Sequence, residues 1–353
     1  MNILLTCAGR RNYIVDYFKA ALEQTGGNVY AANSKSYAAA FVPAEQSFLV
    51  PEIHHPDYIK TILQICTEYG ISAIVPLFDI ELPVLAKARN MFLSHGIQVI
   101  VSSPDVIEIC YDKWETFKFL QQNGFQSPKT YIDLDSVNNA IDNKEIDFPL
   151  IIKPRWGMGS IGIMEIDNRE ELIVLYHKIE KVIQASYLGY QSSKEPGQMI
   201  LIQEKLTGQE YGLDVVNNLN GEYVTTFVKR KIAMRSGETD IAVTENDLEL
   251  MDFGAKLAKK LNHMANLDVD LFRTDKNCFV LEMNPRFGGG YPFSHLAGAN
   301  LPAAIIAWLK NEEADPAWFT ITPDITGFKG IVPLKMTKSP INFTENVSNH
   351  CRE

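Results

Sequence analysis

The chain has 353 residues, of which 46% are hydrophobic and 22% charged, and this composition excludes a disordered chain. Its net charge of −10 argues against a broad nucleic-acid-binding surface, which has to be basic, but allows a local basic pocket for phosphates. The length predicts two or three domains.

Strands and helices alternate through the first third of the chain. The predicted strands are 2–8, 29–32, 46–50, 72–76 and 98–101, and the predicted helices are 12–24, 56–68 and 82–94. This alternation is typical of a parallel sheet with helices on both faces. We therefore predict a doubly wound, Rossmann-like α/β domain over residues 1–111.

The turn after the first predicted strand reads CAGRRN over residues 7–12 and contains one glycine. A dinucleotide-binding turn needs the pattern G-x-G-x-x-G, so NAD or FAD binding is not expected. Arg10 and Arg11 precede a predicted helix, and a helix N-terminus favours anions. The two arginines either capture a carboxylate or phosphate of a second substrate or form a solvated turn with one salt bridge.

From residue 112 onward the pattern changes to shorter strands of antiparallel character. The predicted helices are 113–122, 169–186, 247–261 and 301–309. The predicted strands are 128–132, 148–154, 199–205, 211–216, 224–228, 241–244, 266–272 and 277–283, the last two paired as a hairpin. The sequence therefore predicts an α+β region behind the first domain.

A lysine and a glycine-rich segment mark the middle of the chain. Lys153 ends a strongly apolar predicted strand, where an ammonium group is costly to bury without an anion. The segment after it can cradle phosphate oxygens with its backbone N–H groups and contains Gly157, Gly159, Ser160 and Gly162. A glycine turn that only joins two strands is the alternative, and the P-loop pattern is absent.

Oxygen-bearing side chains cluster near the end of the last predicted strand. Glu282 and Asn284 share one face of that strand, and Arg286 continues the row. Asp268 and Asp270 lie on the preceding strand, where a hairpin brings one of them alongside. Oxygen ligands without His or Cys suit Mg²⁺. The alternative is a salt bridge between the strand carboxylate and Arg286.

The cysteines and apolar runs bear on the cellular compartment. The five cysteines are widely spaced and lack a CxxC pair, which argues against a disulfide framework or a zinc site. The first apolar stretch is too short for a signal peptide, and no run approaches the roughly 18 residues of a membrane helix. We therefore expect a cytoplasmic protein without a membrane or nucleic-acid partner.

The lysine strand, the glycine segment and the EMNPR motif together resemble the ATP-grasp superfamily, within it the carbamoyl-phosphate-synthase-like branch. The resemblance covers nearly the whole chain, with the motifs in the family's order. It implies a pre-ATP-grasp domain over 1–111, a small lid subdomain over 112–205 and a C-terminal subdomain over 206–353. The last two would clasp ATP between two antiparallel sheets.

The resemblance also implies roles for individual residues. The expected phosphate contacts come from Lys113, Lys153 and the flap over residues 157–162. The expected adenine hinge, which uses backbone groups, consists of Gln203, Glu204, Lys205 and Leu206. The acidic residue expected near the ribose is Glu210. The expected ligands of Mg²⁺, with Mn²⁺ as an alternative ion, are Asp270, Glu282 and Asn284. Arg286 is expected near the transferred phosphoryl group.

The chemistry that the resemblance implies is a carbon–nitrogen ligase that consumes ATP and releases ADP. A carboxylate of one small molecule would become an acyl phosphate, and an amine would displace the phosphate. Lys231 and Arg235 are the candidates for holding the acceptor carboxylate, and a solvated loop is the alternative.

The chain also departs from carbamoyl phosphate synthase. It has room for one ATP-grasp unit and lacks an obvious glutaminase or biotin-carrier motif, so carbamoyl phosphate synthesis itself is not expected. Two alternative functions stay open, a small-molecule kinase and a catalytically silent nucleotide-binding protein. Relatives of this kind are commonly dimers, which makes a homodimer an expectation.

Overall fold

A computed structural model of the chain describes residues 1–23, 25–157, 162–186, 188–193, 195, 197–275 and 277–344. Three sheets organise this part of the chain. We call them the N-terminal sheet, the small sheet and the C-terminal sheet, in chain order. Among the described residues, each helix is too short or too polar to span a membrane.

The N-terminal sheet is parallel and is covered by helices. Its strands are β1 (Asn2–Thr6), β2 (Val29–Asn33), β3 (Ser47–Leu49), β4 (Ile71–Pro76) and β5 (Gln98–Val99), in the order β3-β2-β1-β4-β5. Its helices are α1 (Asn12–Leu22), α2 (Tyr58–Glu68), α3 (Leu82–Ser94) and α4 (Pro104–Tyr111). Ile3 and Leu5 pack into one core and Leu4 into the other, because successive strand residues face opposite sides. The predicted parallel sheet with helices on both faces is confirmed.

The small sheet is antiparallel and lies in the middle of the chain. Its strands are β6 (Thr130–Tyr131), β7 (Leu150–Pro154), β8 (Met164–Ile166) and β9 (Ile200–Glu204), in the order β6-β9-β7-β8. The helices of this region are α5 (Lys113–Gln122), α6 (Leu134–Asp142), α7 (Arg169–Gln184) and α8 (Gly189–Ser192). Ile179 and Ile183 of α7 pack onto its buried face with Ile152 and Ile202.

The C-terminal sheet is antiparallel, as predicted. Its strands are β10 (Gln209–Asn217), β11 (Tyr223–Arg235), β12 (Glu238–Glu245), β13 (Asn266–Arg273), β14 (Cys278–Asn284) and β15 (Thr326–Phe328), in the order β14-β13-β10-β11-β12-β15. Its helices are α9 (Leu248–Leu261), α10 (Tyr291–Leu296) and α11 (Leu301–Leu309). The chain then returns to the N-terminal sheet, where β16 (Ile341–Asn342) pairs with β3.

Several boundaries differ from the predicted ones for local physical reasons. β1 ends at Thr6 rather than at residue 8, because Cys7 has a φ of 51°, in the left-handed region. The short helices α4, α6 and α10 and the strand β8 were not predicted, since each spans too few residues for a clear apolar period. α6 does carry a start signal that could have been used, as the Asp133 side chain accepts from Ser136 N.

A buried carboxyl group lies beside the carboxyl end of β4. Glu81 is 0% exposed, and its Oε1 accepts a hydrogen bond from the Tyr58 hydroxyl at 2.6 Å. Burial raises the pKa of Glu81 to about 7, although hydrogen bonds from Tyr58 and other neighbours oppose the change. Glu81 is therefore protonated in the folded state at mildly acid pH and ionised in the unfolded chain.

This difference predicts a pH-dependent stability. The folded state binds the Glu81 proton more tightly than the unfolded state, so stability is full below about pH 4.5 and is lost as the pH rises through about 7. Glu81→Gln keeps the acceptor oxygen and removes the titration. From pH 5 to pH 8, wild type should lose about 2.5 kcal/mol of free energy of unfolding that Glu81→Gln retains. Urea denaturation at both pH values measures it, with Glu68→Gln at an exposed position as control. The same pH dependence in wild type and Glu81→Gln would contradict it.

Candidate active site

A cleft of about 200 Å³ opens between the C-terminal sheet, the end of β7 and the turn after β1. Charged side chains dominate its lining. Of the predicted site residues, it brings together Lys153, Glu210, Lys231, Arg286 and the three expected metal ligands. The sequence alone gave no way to see that Arg11 belongs to the same cleft.

The carboxylate side of the cleft follows from the register of β13 and β14. Asp270 lies opposite Glu282, and Asp268 lies opposite Asn284, so the hairpin brings both aspartates alongside the strand end. Burial raises the pKa of Asp270, although the positive charge of Lys231 lowers it. Burial and the negative charge of Asp270 raise the pKa of Asp268 to about 6, and the positive charge of Arg286 opposes this change. A bound cation would stabilise the ionised form of these crowded, partly desolvated carboxylates.

The donor set fits a magnesium ion that shares its coordination with phosphates. Among the described residues, no group of three or more His, Cys, Asp or Glu side chains is arranged to hold a metal by itself. The predicted set instead combines two carboxylates, Asp270 and Glu282, with the amide oxygen of Asn284. Mg²⁺ commonly takes one or two carboxylates and completes its shell with substrate phosphates and water.

Two lysines face this carboxylate side. Lys153 is 6% exposed, and its ammonium group makes no hydrogen bond or ion pair with a described residue. Burial, with Lys113 adding to it and Glu282 opposing it, lowers the pKa of Lys153 to about 8. The Lys113 ammonium lies 3.6 Å from Glu282 and donates to the Gly157 carbonyl at 2.5 Å. A buried, uncompensated cation of this kind marks a place for an anion.

An ion pair that sequence reasoning missed holds the two lysines side by side. Asp112 caps α5 by accepting from Trp114 N at 2.9 Å, and it binds the Arg155 guanidinium at 2.6 Å. Arg155 directly follows β7, and its carbonyl accepts from Lys113 N at 3.2 Å. The start of α5 is therefore tied to the end of the strand that carries Lys153.

The glycine-rich segment is described at its two ends. Gly157 has a φ of 116° and Gly162 one of 71°, a region in which glycine is unstrained. A Cβ atom at Gly157 would lie 2.8 Å from Leu188 Cδ2, so a side chain here would require Leu188 to move. Gly159 and Ser160, which were predicted to contact phosphates, lie outside the described residues.

Lys231 and Glu210 form a closed charge cluster. The Lys231 ammonium lies 2.8 Å from Glu210 and 2.6 Å from Asp270. Burial would lower the pKa of Lys231, but the two carboxylates outweigh it and raise the pKa above its usual range. The charge of Lys231 is therefore already neutralised, which favours a role in orienting Asp270 over holding a substrate carboxylate.

Arg235, the second candidate for the acceptor carboxylate, lies away from the cleft. Its guanidinium makes an ion pair with Asp240 at 2.5 Å and donates to the Lys329 carbonyl at 2.9 Å. The register of β11 and β12 shifts on both sides of Ala233, which breaks the alternation expected from Lys231 to Arg235. Met234 faces the cleft instead.

The predicted adenine hinge lies where the small sheet joins the C-terminal sheet. Gln203 is in the ladder between β6 and β7, and its side chain donates to Thr130 Oγ1 at 2.7 Å. Glu204 N donates to the Lys129 carbonyl at 3.1 Å. β9 ends there, so Lys205 and Leu206 are the part of the hinge whose backbone lies beyond the strand ladder. Lys205 is exposed and pairs with Glu165 through its side chain.

Arg286 links the C-terminal sheet to the N-terminal sheet. Its guanidinium lies 2.8 Å from Asp79 and 3.1 Å from Asp268, and the residue is 7% exposed. Arg286 pairs with these two carboxylates. The salt bridge between Arg286 and Glu282, which was the alternative to a metal site, does not form. Asp79 was not among the predicted residues, although a ligand-facing edge is expected beyond the carboxyl ends of parallel strands such as β4.

Parts of this chain match known families and a curated relative. Residues 3–100 match the family described as "PylC-like, N-terminal domain". Residues 197–326 match the family described as "ATP-grasp in the biosynthetic pathway with Ter operon". The arginine-specific large chain of carbamoyl phosphate synthase from Bacillus subtilis (strain 168) is 21% identical over 199 residues, or 54% of this chain. The match spans 18% of that relative's length.

Solved structures share the fold over most of the chain. The L-amino acid ligase from Bacillus licheniformis has a TM-score of 0.70 at 19% identity, covering 95% of this chain and 81% of the ligase. Biotin carboxylase from Campylobacter jejuni has a TM-score of 0.71 at 16% identity, covering 92% and 74%. The biotin carboxylase domain dimer of Hydrogenobacter thermophilus 2-oxoglutarate carboxylase, solved with MgADP, ADP and bicarbonate, has a TM-score of 0.69 at 18% identity, covering 89% and 70%.

Proposed function

We propose, from the premise that this chain is an ATP-grasp protein, that it is a Mg-ATP-dependent carboxylate–amine ligase acting on small molecules. One observation carries the proposal. The buried, unpaired Lys153 lines one cleft with Asp270, Glu282 and Asn284, and its neighbour Lys113 lies 3.6 Å from Glu282. An uncompensated cation beside crowded carboxylates suits a phosphate chain that Mg²⁺ would link to the protein.

The residues would divide the work by position. Lys113 and Lys153 would neutralise the phosphate oxygens, and the backbone of Lys205 and Leu206 would face the base. Lys231 would hold Asp270 in place through their 2.6 Å contact. Mg²⁺, once bound by Asp270, Glu282 and Asn284, would supply charge neutralisation to the phosphates.

The proposed chemistry takes two steps. An acceptor carboxylate oxygen attacks the γ-phosphorus, the bond between that phosphorus and the bridging oxygen breaks, and ADP leaves. An amine then attacks the acyl carbon of the acyl phosphate, loses a proton and expels inorganic phosphate. Positioning and charge neutralisation account for the protein's contribution, and no protein nucleophile is required.

The test is ADP release from Mg-ATP with amino acids and small carboxylates supplied singly and in pairs. Release that requires a particular pair, together with a new amide product, is the expected result. Release with one acceptor alone and a stable phosphorylated product would replace the ligase with a kinase. Tight Mg-ATP binding without release for any pair would instead favour a nucleotide-binding protein without catalysis.

The pH dependence of nucleotide capture tests the role of Lys153 separately. The Lys153 ammonium is charged below its pKa of about 8, so kcat/KM for Mg-ATP should fall as the pH rises through about 8. Lys153→Arg keeps its charge at every accessible pH, so the fall should move to higher pH in this variant. Initial rates from pH 6.5 to 9.5 measure both profiles. An identical alkaline limb in the two proteins would assign the titration to another group.

A further inference from the structure

The cleft contains a second buried cation without a close carboxylate, at the end away from Lys153. Arg11 is 9% exposed, donates to the Leu77 carbonyl, and reaches Glu238 only at 4.0 Å. Glu238 is itself engaged by Lys329 at 3.1 Å. Burial and the positive charge of Arg286 lower the pKa of the Arg11 guanidinium below its usual range.

The other cations that line the cleft are already compensated. Lys231 has two carboxylates within 2.8 Å, and Arg286 is held by Asp79 and Asp268. Among the described residues, Lys153 and Arg11 are the lining cations without a carboxylate within 3.5 Å. The two cations have different charged neighbours. Lys153 lies near Lys113 and Glu282, whereas Arg11 lies near Glu238 and Arg286.

An unpaired hydroxyl group lies beside Arg11. The Tyr13 hydroxyl is buried and has no hydrogen-bond partner among the described residues. Burial raises the pKa of Tyr13 to about 12, with Arg11 opposing the change and Glu238 adding to it. A buried hydroxyl group without a partner is costly, and a bound polar ligand would remove that cost.

We propose that Arg11 binds a carboxylate of the acceptor substrate at this end of the cleft. The guanidinium offers N–H donors beyond the one used by Leu77, and paired N–H donors match the two oxygens of a carboxylate. Arg286 lies next to this position and lines the same cleft. The inference rests on the proposed ligase function, and it moves acceptor recognition from the C-terminal sheet to the turn after β1.

Binding of a defined carboxylate panel tests this without knowledge of the natural substrate. Glycine, L-alanine, L-aspartate, L-glutamate and succinate are titrated by calorimetry into the full chain saturated with MgADP. At least one should bind wild type, and Arg11→Gln should raise its Kd by at least about tenfold. Arg11→Lys keeps the charge but loses the paired N–H donors of the guanidinium, so its Kd should lie between those of wild type and Arg11→Gln. Arg10→Gln, at the exposed neighbouring position, is the matched control.

The affinity for MgADP shows whether each variant is folded, and it should stay unchanged in Arg11→Gln. Equal carboxylate affinity in wild type and Arg11→Gln would overturn the inference, as would a wild type that binds none of the panel. If no ADP is released but carboxylate binding still depends on Arg11, the ligase function is contradicted and the carboxylate site at Arg11 is not. If ADP release depends on an acceptor but the KM for that acceptor is unchanged in Arg11→Gln, only the carboxylate site at Arg11 is contradicted.

Discussion

Lys153→Met is expected to reduce kcat/KM for Mg-ATP by about tenfold to 150-fold. The ammonium group is buried at the end of β7, makes no ion pair with a described residue, and lies beside Lys113. A charge-assisted hydrogen bond to a phosphate contributes about 1.5–3 kcal/mol, and that range corresponds to the stated loss of rate. Methionine keeps most of the apolar stem, so the folded structure should persist. Steady-state ADP release at limiting Mg-ATP measures the effect.

The matched control for this variant is Lys205→Met. Lys205 is exposed, pairs with Glu165, and belongs to the predicted adenine hinge, where only its backbone is expected to matter. An exposed ion pair contributes less than about 1 kcal/mol, so Lys205→Met should keep kcat/KM within a few-fold of wild type. Wild-type turnover by Lys153→Met, or equal losses in both variants, would remove the phosphate role of Lys153.

The sequence predicted the fold class because the local patterns agreed with the architecture. Alternating strands and helices indicated the parallel sheet, and the hairpin of β13 and β14 followed from two adjacent strand patterns. Strand alternation likewise predicted that Glu282 and Asn284 share a face, because they lie near the end of one regular strand.

The parts that could not be predicted depend on contacts between distant segments. Arg286 meets Asp79 across 207 positions of the chain, and no local pattern specifies such a pair. The irregular register around Ala233 turned Arg235 away from the cleft, since one extra residue in a strand reverses the faces of those that follow. Arg11 could be read from the sequence as an anion-binding candidate, but not as a neighbour of Arg286.

The ion pair between Asp79 and Arg286 gives the largest expected effect on stability. Asp79→Ala leaves the Arg286 guanidinium buried with Asp268 as its one remaining carboxylate partner among the described residues. Removing one member of a buried ion pair costs about 3–5 kcal/mol, because the other charge stays out of water. We therefore expect Asp79→Ala to lose about that much free energy of unfolding, measured by urea denaturation at pH 7.

The double variant Asp79→Ala/Arg286→Met separates the pair from its surroundings. Removing both charges abolishes the uncompensated cation, and Asp268, whose pKa is already raised by burial, can take up a proton once Arg286 is gone. The double variant should therefore be more stable than Asp79→Ala by more than about 1 kcal/mol. Asp252→Ala, which breaks the exposed pair with Lys256, should cost less than about 1 kcal/mol and serves as control. If Asp79→Ala cost no more than this control, Arg286 would be adequately compensated without Asp79. The ion pair would then contribute little to holding the turn after β4 against the C-terminal sheet.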